Sequence, residues 1–430
     1  MKQFKWLPLL LMTPIFLSGC WDSVEINNRS IILEFAIDKN TDEIPEDTPI
    51  DQRPTFNVTY SIPDMAKLSG TESLAKDTKT NVTVQAPTIA TSIDDLQTRT
   101  RNTVTFSHVK AILMGEELLK DPKLLEEVLD AITRERLIAR NVPLLAVRGE
   151  ASSIQGAKNE QQPIIGLYIM NYFNNKERPV NYFKSELLGN FLKNMKETGI
   201  ATIPIFKLIS DDGTEIESTE EKLDSDGENN QSNEQPAEQK VEGATDGEEQ
   251  TETSQSAEFE ISGGAVIKDY KLIDYITKEE VRGQLLVQGE VKNSPVVISY
   301  KDRLLTYLIK KTNSNVTFEE KNGVLTCFID IKVHGNVIEY VSNHLQNVSN
   351  IDVLNELEIL ISGEVYKQAH VGIDRAKDMN VDFLGLGLQM YRHQPELWEY
   401  YEHNWNAIGF ANVKIVVDVD VEIENTGLLQ

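Results

Sequence analysis

Residues 354–376 read LNELEILISGEVYKQAHVGIDRA, and residues 413–423 read VKIVVDVDVEI. In the first stretch Leu354, Leu357, Ile361, Val365, Ala369, Ile373 and Ala376 recur every three or four residues. That spacing lines one face of a 3.6-residue helix with apolar side chains and predicts a long amphipathic helix. In the second stretch Val413, Ile415, Val417, Val419, Val421 and Ile423 alternate with mostly polar neighbours. A period of two is that of a strand with one buried face. Strand-like runs at 294–300, 316–318, 324–333 and 337–340 precede the helix. A long helix lying on an antiparallel sheet accounts for these patterns, and residues 301–430 are expected to form a C-terminal α+β domain.

Upstream, residues 258–300 are expected to be a small middle domain. Two strands, 258–268 and 271–276, turn at Asp269-Tyr270, and Thr277-Lys278-Glu279-Glu280 has the form of a capping box opening a helix to Gln288. Residues 211–257 hold 16 Asp and Glu against Lys222 and Lys240, a net −14, with no aromatic residue. So few apolar side chains do not offset the entropy of ordering, and the segment is expected to be a disordered acidic insertion. Residues 20–210 are expected to form an N-terminal α+β domain. Its strands are 30–38, 55–62, 81–86, 104–114, 141–147 and 203–209, with a helix at 90–102. Asp121-Pro122 opens another helix carrying Leu124, Leu125, Val128, Leu129 and Ile132 at helical spacing. Phe183, Leu187, Leu188, Phe191, Leu192 and Met195 mark one more. The fold class is therefore α+β with three domains, built of antiparallel and mixed sheets with packed helices.

The first 19 residues are of a different kind. Lys2 and Lys5 precede an apolar stretch, Trp6 to Phe16, that ends in Leu17-Ser18-Gly19-Cys20. A charged start, a short apolar run and small residues before a cleavage point describe a secretory signal. The run is about 11 residues, well short of the about 20 that a membrane-spanning helix needs. LSGC fits the bacterial lipobox, so residues 1–19 are expected to be a lipoprotein signal peptide. Cys20 is then the lipidation site, carrying covalent diacylglyceryl and N-acyl lipid. Two or more acyl chains hold a protein stably on a bilayer.

The net charge of −26 becomes −28 once Lys2 and Lys5 leave with the signal. That argues against nucleic acid and against a polybasic grip on anionic lipid. Cys327, the other cysteine, has no intramolecular partner once Cys20 is lipidated, and reads as a small buried apolar residue. His108, His334, His344, His370, His393 and His403 show no zinc-ligand spacing. There is no nucleophile elbow and no phosphate loop. Gly385-Leu386-Gly387 follows a helix, the wrong context for a dinucleotide site, and is expected to end that helix as cap and turn. Pro395 can start a helix on which Trp398, Tyr401 and Trp405 fall as a core stripe, beside Tyr391 and Tyr400. No catalytic, metal or cofactor residue is expected.

These motifs resemble one family. Gly19-Cys20-Trp21-Asp22 with Glu25-Ile26 is similar to the mature start of the Ger(x)C family, the C-subunit lipoproteins of nutrient germinant receptors in endospore-forming bacteria. The resemblance continues in Phe106-Ser107-His108, in 112–118 (ILMGEEL), in Gly263-Gly264-Ala265-Val266 and in Glu279-Glu280-Val281-Arg282-Gly283. It is densest in Asp382-Phe383-Leu384-Gly385-Leu386-Gly387, Tyr391-Arg392, Pro395-Glu396-Leu397-Trp398 and Trp405, and runs to Thr426-Gly427. The long acidic insertion is the one departure. The resemblance implies three α+β domains without an enzymatic site. It also implies a place on the outer face of the spore inner membrane, beside integral membrane A and B subunits. The expected function is that of a lipid-anchored C subunit needed for nutrient-triggered germination. A solute-binding lipoprotein that captures a small nutrient is the rival reading, although no duplicated βαβ pattern supports two similar lobes.

Overall fold

The computed structural model describes residues 29–64, 79–157, 164–175, 177, 179–210, 215–216, 258–340 and 351–425. The signal peptide, Cys20 and most of the acidic insertion lie outside them.

The N-terminal half is built on one mixed sheet. Strands β2 (Glu34–Lys39), β6 (Ala111–Gly115), β7 (Leu144–Val147) and β8 (Ile200–Ile209) run parallel at its centre. β3 (Phe56–Pro63) and β4 (Lys79–Ala86) extend one side antiparallel. β10 (Glu258–Lys268) and β11 (Lys271–Ile276) extend the other, and β9 (Glu215–Ile216) pairs with the end of β8. A small parallel pair, β1 (Arg29–Ile31) with β5 (Thr103–Thr105), stands apart.

Alternate side chains of the central strands enter two different cores. Phe35, Ile37, Ile112 and Met114 face α1 (Ile89–Arg99), α3 (Pro122–Arg134) and α6 (Leu188–Glu197). Ala36, Ala111 and Leu113 face α4 (Ala151–Gly156) and α5 (Ile165–Asn174). A short helix, α2 (Glu116–Lys120), continues directly from β6. Helices on both faces explain why these strands carry apolar residues at nearly every position.

The C-terminal half is a four-stranded sheet in the order β12 (Ser294–Tyr300), β13 (Arg303–Lys321), β14 (Val324–Tyr340) and β15 (Lys414–Asn425). Its inner face packs on α8 (Ile351–Met379), and the predicted stripe is buried there from Leu357 through Ile361, Val365, Ala369 and Ile373 to Ala376, with Leu354 only half-buried. α9 (Leu386–His393), α10 (Pro395–Tyr401) and a wide π-helical turn (Trp405–Phe410) lead into β15. α7 (Lys278–Val287) crosses α8 where two glycines meet. A Cβ on Gly283 would lie 2.5 Å from the Gly372 nitrogen, so only hydrogen fits there.

Several expectations need correction. The C-terminal sheet is mixed, because β15 pairs parallel with β14; the helical crossover returns the chain to the end where β14 began. β13 runs 19 residues rather than three, its polar outer row having masked the alternation. The run 104–114 breaks into β5 and β6 at a turn closed by Val109 N–H to Phe106 C=O, 3.2 Å. The helix expected from Phe183 starts at Leu188. Glu215–Ile216, inside the segment expected to be disordered, are a strand, with the Glu215 carboxylate accepting from Arg148 and Lys207.

The segment 258–300, expected as a middle domain, is shared out. β10 and β11 complete the N-terminal sheet, while α7 and β12 belong to the C-terminal core. Ile200, Val266 and Ile276 at the end of the large sheet pack into that same core, which joins the halves.

Candidate functional site

The residues that carry the family resemblance at the C-terminal end come together where α8 stops. Asn380, with φ +51°, takes the left-handed turn; its N–H reaches Lys377 C=O at 3.0 Å, and Val381 N–H reaches Ala376 C=O at 3.1 Å. That pair of bonds is a Schellman stop. Contrary to expectation, Gly385 and Gly387 therefore do not end α8. Gly385, at φ +81°, opens α9 instead.

Asp382 organises this corner. Its buried carboxylate accepts from Leu386 N–H at 2.9 Å, from Gly387 N–H at 2.6 Å and from the Trp405 indole Nε1–H at 2.8 Å. One side chain thus caps a helix and fixes a tryptophan 23 residues away. Burial pushes its pKa up to about 6, against the pull of the donors. Gly387 must lack a side chain because a Cβ would stand 2.5 Å from the indole nitrogen.

The backbone between Asp382 and Gly385 is held from the other side by α7. Gln284 Nε2 donates to Phe383 C=O at 2.7 Å, and Gln288 Nε2 to Leu384 C=O at 2.9 Å. Arg282, on the same helix, donates to Gln368 Oε1, Ser294 Oγ and Pro295 C=O. Gln284 and Gln288, just past the 279–283 motif, thus tie it by hydrogen bonds to the 382–387 segment about a hundred residues on. Gln284 also reaches Thr202 of β8 at 3.3 Å, and Lys184 reaches Gln288 at 2.6 Å, so the unit ties the two halves together.

Beside it lies a cleft between the halves, formed by two adjoining hollows of about 340 and 560 Å3. The N-terminal wall is the end of α6 with the start of β8, including Lys193, Lys196 and Thr198. The C-terminal wall includes Leu388, Trp398 and His403. Asp382 and Trp405 form part of the inner hollow, and Tyr391 part of the outer one. The aromatic stripe thus divides. Tyr401 and Trp405 are core, Trp398 is half-buried with its ring centroid 5.8 Å from that of Trp405, and Tyr391 and Tyr400 are exposed.

Sequence reasoning missed Lys193, Lys196 and Thr198, which reach the cleft only through tertiary packing. Gln284 and Gln288 left a signal, two amides four residues apart on one helix face.

Cys327 lies in the C-terminal core, its thiol pKa pushed up by burial. Among the described residues no group of three His, Cys, Asp or Glu could hold a metal ion, and no helix is long and apolar enough to cross a membrane.

Comparison with known proteins gives this corner its context. The family described as "Spore germination protein N-terminal domain" matches residues 22–208, and "Spore germination B3/ GerAC like, C-terminal" matches residues 262–427. The chain belongs to the Ger(x)C family of spore germination proteins. Its Ger(x)C relatives include the putative spore germination protein YfkR of Bacillus subtilis (strain 168), 24% identical over 98% of this chain and 96% of that protein. Spore germination protein B3 of the same organism is 21% identical over 99% of each. Spore germination protein KC is 22% identical over 98% of this chain and 95% of its own length. A crystal structure of the GerBC protein shares the fold, with a TM-score of 0.52 at 16% identity, covering 86% of this chain and 94% of that one. The unmatched interval between the two family regions contains the acidic insertion.

Proposed function

We propose that the protein is the lipid-anchored C subunit of a nutrient germinant receptor, acting without catalysis on the outer face of the spore inner membrane. The observation that carries this reading is family membership across both halves, joined to the lipobox ending at Cys20. Diacylglyceryl and N-acyl chains on Cys20 confine the folded halves to the bilayer surface and raise their effective concentration near the integral membrane A and B subunits. The halves then dock on those subunits and stabilise a ligand-dependent state. A net charge of −26 leaves the anchoring to lipid rather than to basic residues.

The test is a Cys20→Ala exchange at the native locus, scoring membrane retention and nutrient-triggered germination of purified spores. Loss of both together supports a membrane-tethered receptor subunit. Normal germination on every nutrient tried removes the receptor role.

The cleft between the halves favours a second reading, capture of a small nutrient by this chain itself. Its size suits a small ligand, and it lies at an inter-domain position where such sites are common. Titration calorimetry of the protein with single nutrients separates the two readings. Saturable binding that Trp398→Ala abolishes supports capture, and its absence leaves the docking role.

A further inference from the structure

The two edges of the C-terminal sheet are built differently. β12 is seven residues long and has Pro295 in it, the type of residue that blunts an edge by removing a donor. β15 is 12 residues long, has no proline and, among the described residues, pairs only with β14. Near its far end the edge is closed by α8, where Glu358 Oε1 accepts the Ile423 N–H at 3.0 Å. Successive residues of a strand point their amides to opposite sides, so Val421, Val419 and Val417 direct theirs the same way as Ile423. Among the described residues no strand pairs along that side.

The side chains along the edge fall into two rows. Ile415, Val417, Val419 and Ile423 pack on the core yet stay half-buried. Asp418, Asp420, Glu422 and Glu424 are exposed on the other face. Glu422 meets His334 of β14 at 3.0 Å. Asp418, by contrast, stands in register with Asp330, a like charge, and neither forms an ion pair among the described residues. A second copy pairing along this edge would set carboxylate against carboxylate, which destabilises a ladder. An added strand bearing Lys or Arg on the outer face and apolar residues on the inner face would satisfy both rows and the open amides.

We propose that the β15 edge is a docking site for an extended segment of a partner protein in which apolar residues alternate with Lys or Arg. The inference is independent of the receptor reading, since it rests on this edge alone.

The experiment uses the full chain in detergent with three eight-residue probes. They are a peptide alternating valine and lysine, the same residues in two blocks, and a peptide alternating valine and glutamate. Binding is followed by fluorescence polarisation and by amide hydrogen exchange along β15. The alternating lysine peptide should slow exchange at Val417 and Val419 at least tenfold, and the other two should not. In D418K/D420K its affinity should fall at least tenfold. A version of that peptide N-methylated on the amides facing β15 keeps its charges and should lose binding on the unaltered protein, which keeps the test valid if the double variant misfolds. The proposal is overturned if none of the probes protects β15, if the block peptide binds as well, or if methylation makes no difference.

Discussion

Every residue of β6 and β7 is buried, whereas β12 alternates buried and exposed along its whole length. The first pattern belongs to a sheet covered on both faces and the second to a sheet covered on one. The N-terminal half therefore draws stability from apolar bulk on two sides. The C-terminal half depends on helices on one face only, α8 foremost, and on the corner where that helix stops. The same contrast appears in two buried carboxylates. Asp382 is held by three donors, while Glu186 in the N-terminal half accepts one bond, from Asn194 Nδ2 at 3.2 Å.

Four substitutions test how far this difference goes. Asp382→Ala should have the largest effect, a loss of about 4 kcal/mol, because it leaves three donors without a partner at about 1–3 kcal/mol each. Urea unfolding measures it, and loss of the Trp405 environment should show in near-ultraviolet circular dichroism. A loss below about 1 kcal/mol would mean that the corner does not govern the C-terminal half.

Truncation of apolar residues on either side of this divide comes next. Leu113→Ala, in a strand with both faces covered, should cost about 3 kcal/mol, while Val419→Ala, on the half-buried edge strand, should cost about 1 kcal/mol. Equal costs in urea unfolding would erase the distinction between the halves.

The remaining effect is a gain. Burial raises the Glu186 pKa to about 7, above its unfolded value, so the stability tied to its proton is full at acid pH and is lost as pH rises through 7. Glu186→Gln removes that loss, and should be more stable than the unaltered protein by about 2 kcal/mol at pH 8 with no advantage at pH 4. Parallel thermal melts at the two pH values decide it. An advantage that does not depend on pH would point to packing rather than to charge.

What could be read from the sequence follows the same division. The stripe of α8, the alternation of β15 and the capping box at Thr277 were visible because one face of each is wet and its period survives. The hairpin at Asp269-Tyr270 was visible from turn chemistry, and both residues do take positive φ, +49° and +62°. The break between β5 and β6 was hidden, since Val104, Phe106, Val109 and the apolar run 111–114 read together as one strand-like stretch. The parallel entry of β15 was hidden too, because register across a 73-residue separation leaves no local trace. At the site, the residues of the corner were recognised as motifs, but their convergence was not. Trp398 lines both hollows, with Lys193 in one and Asp382 in the other, and Gln284 and Gln288 hold the backbone of Phe383 and Leu384 beside them.

The acidic insertion leaves at the end of β8 and re-enters at β10, its antiparallel neighbour, with Ile209 standing opposite Glu258. Topologically it is an enlarged hairpin loop. Doubling the length of such a loop changes its closure entropy by only about 0.6 kcal/mol, so its length can drift among relatives with little effect on the fold beneath. A molecule cut between residues 217 and 257 would keep β8 and β10 zipped and both halves in place. It would run as two bands on a denaturing gel and travel as one particle in solution.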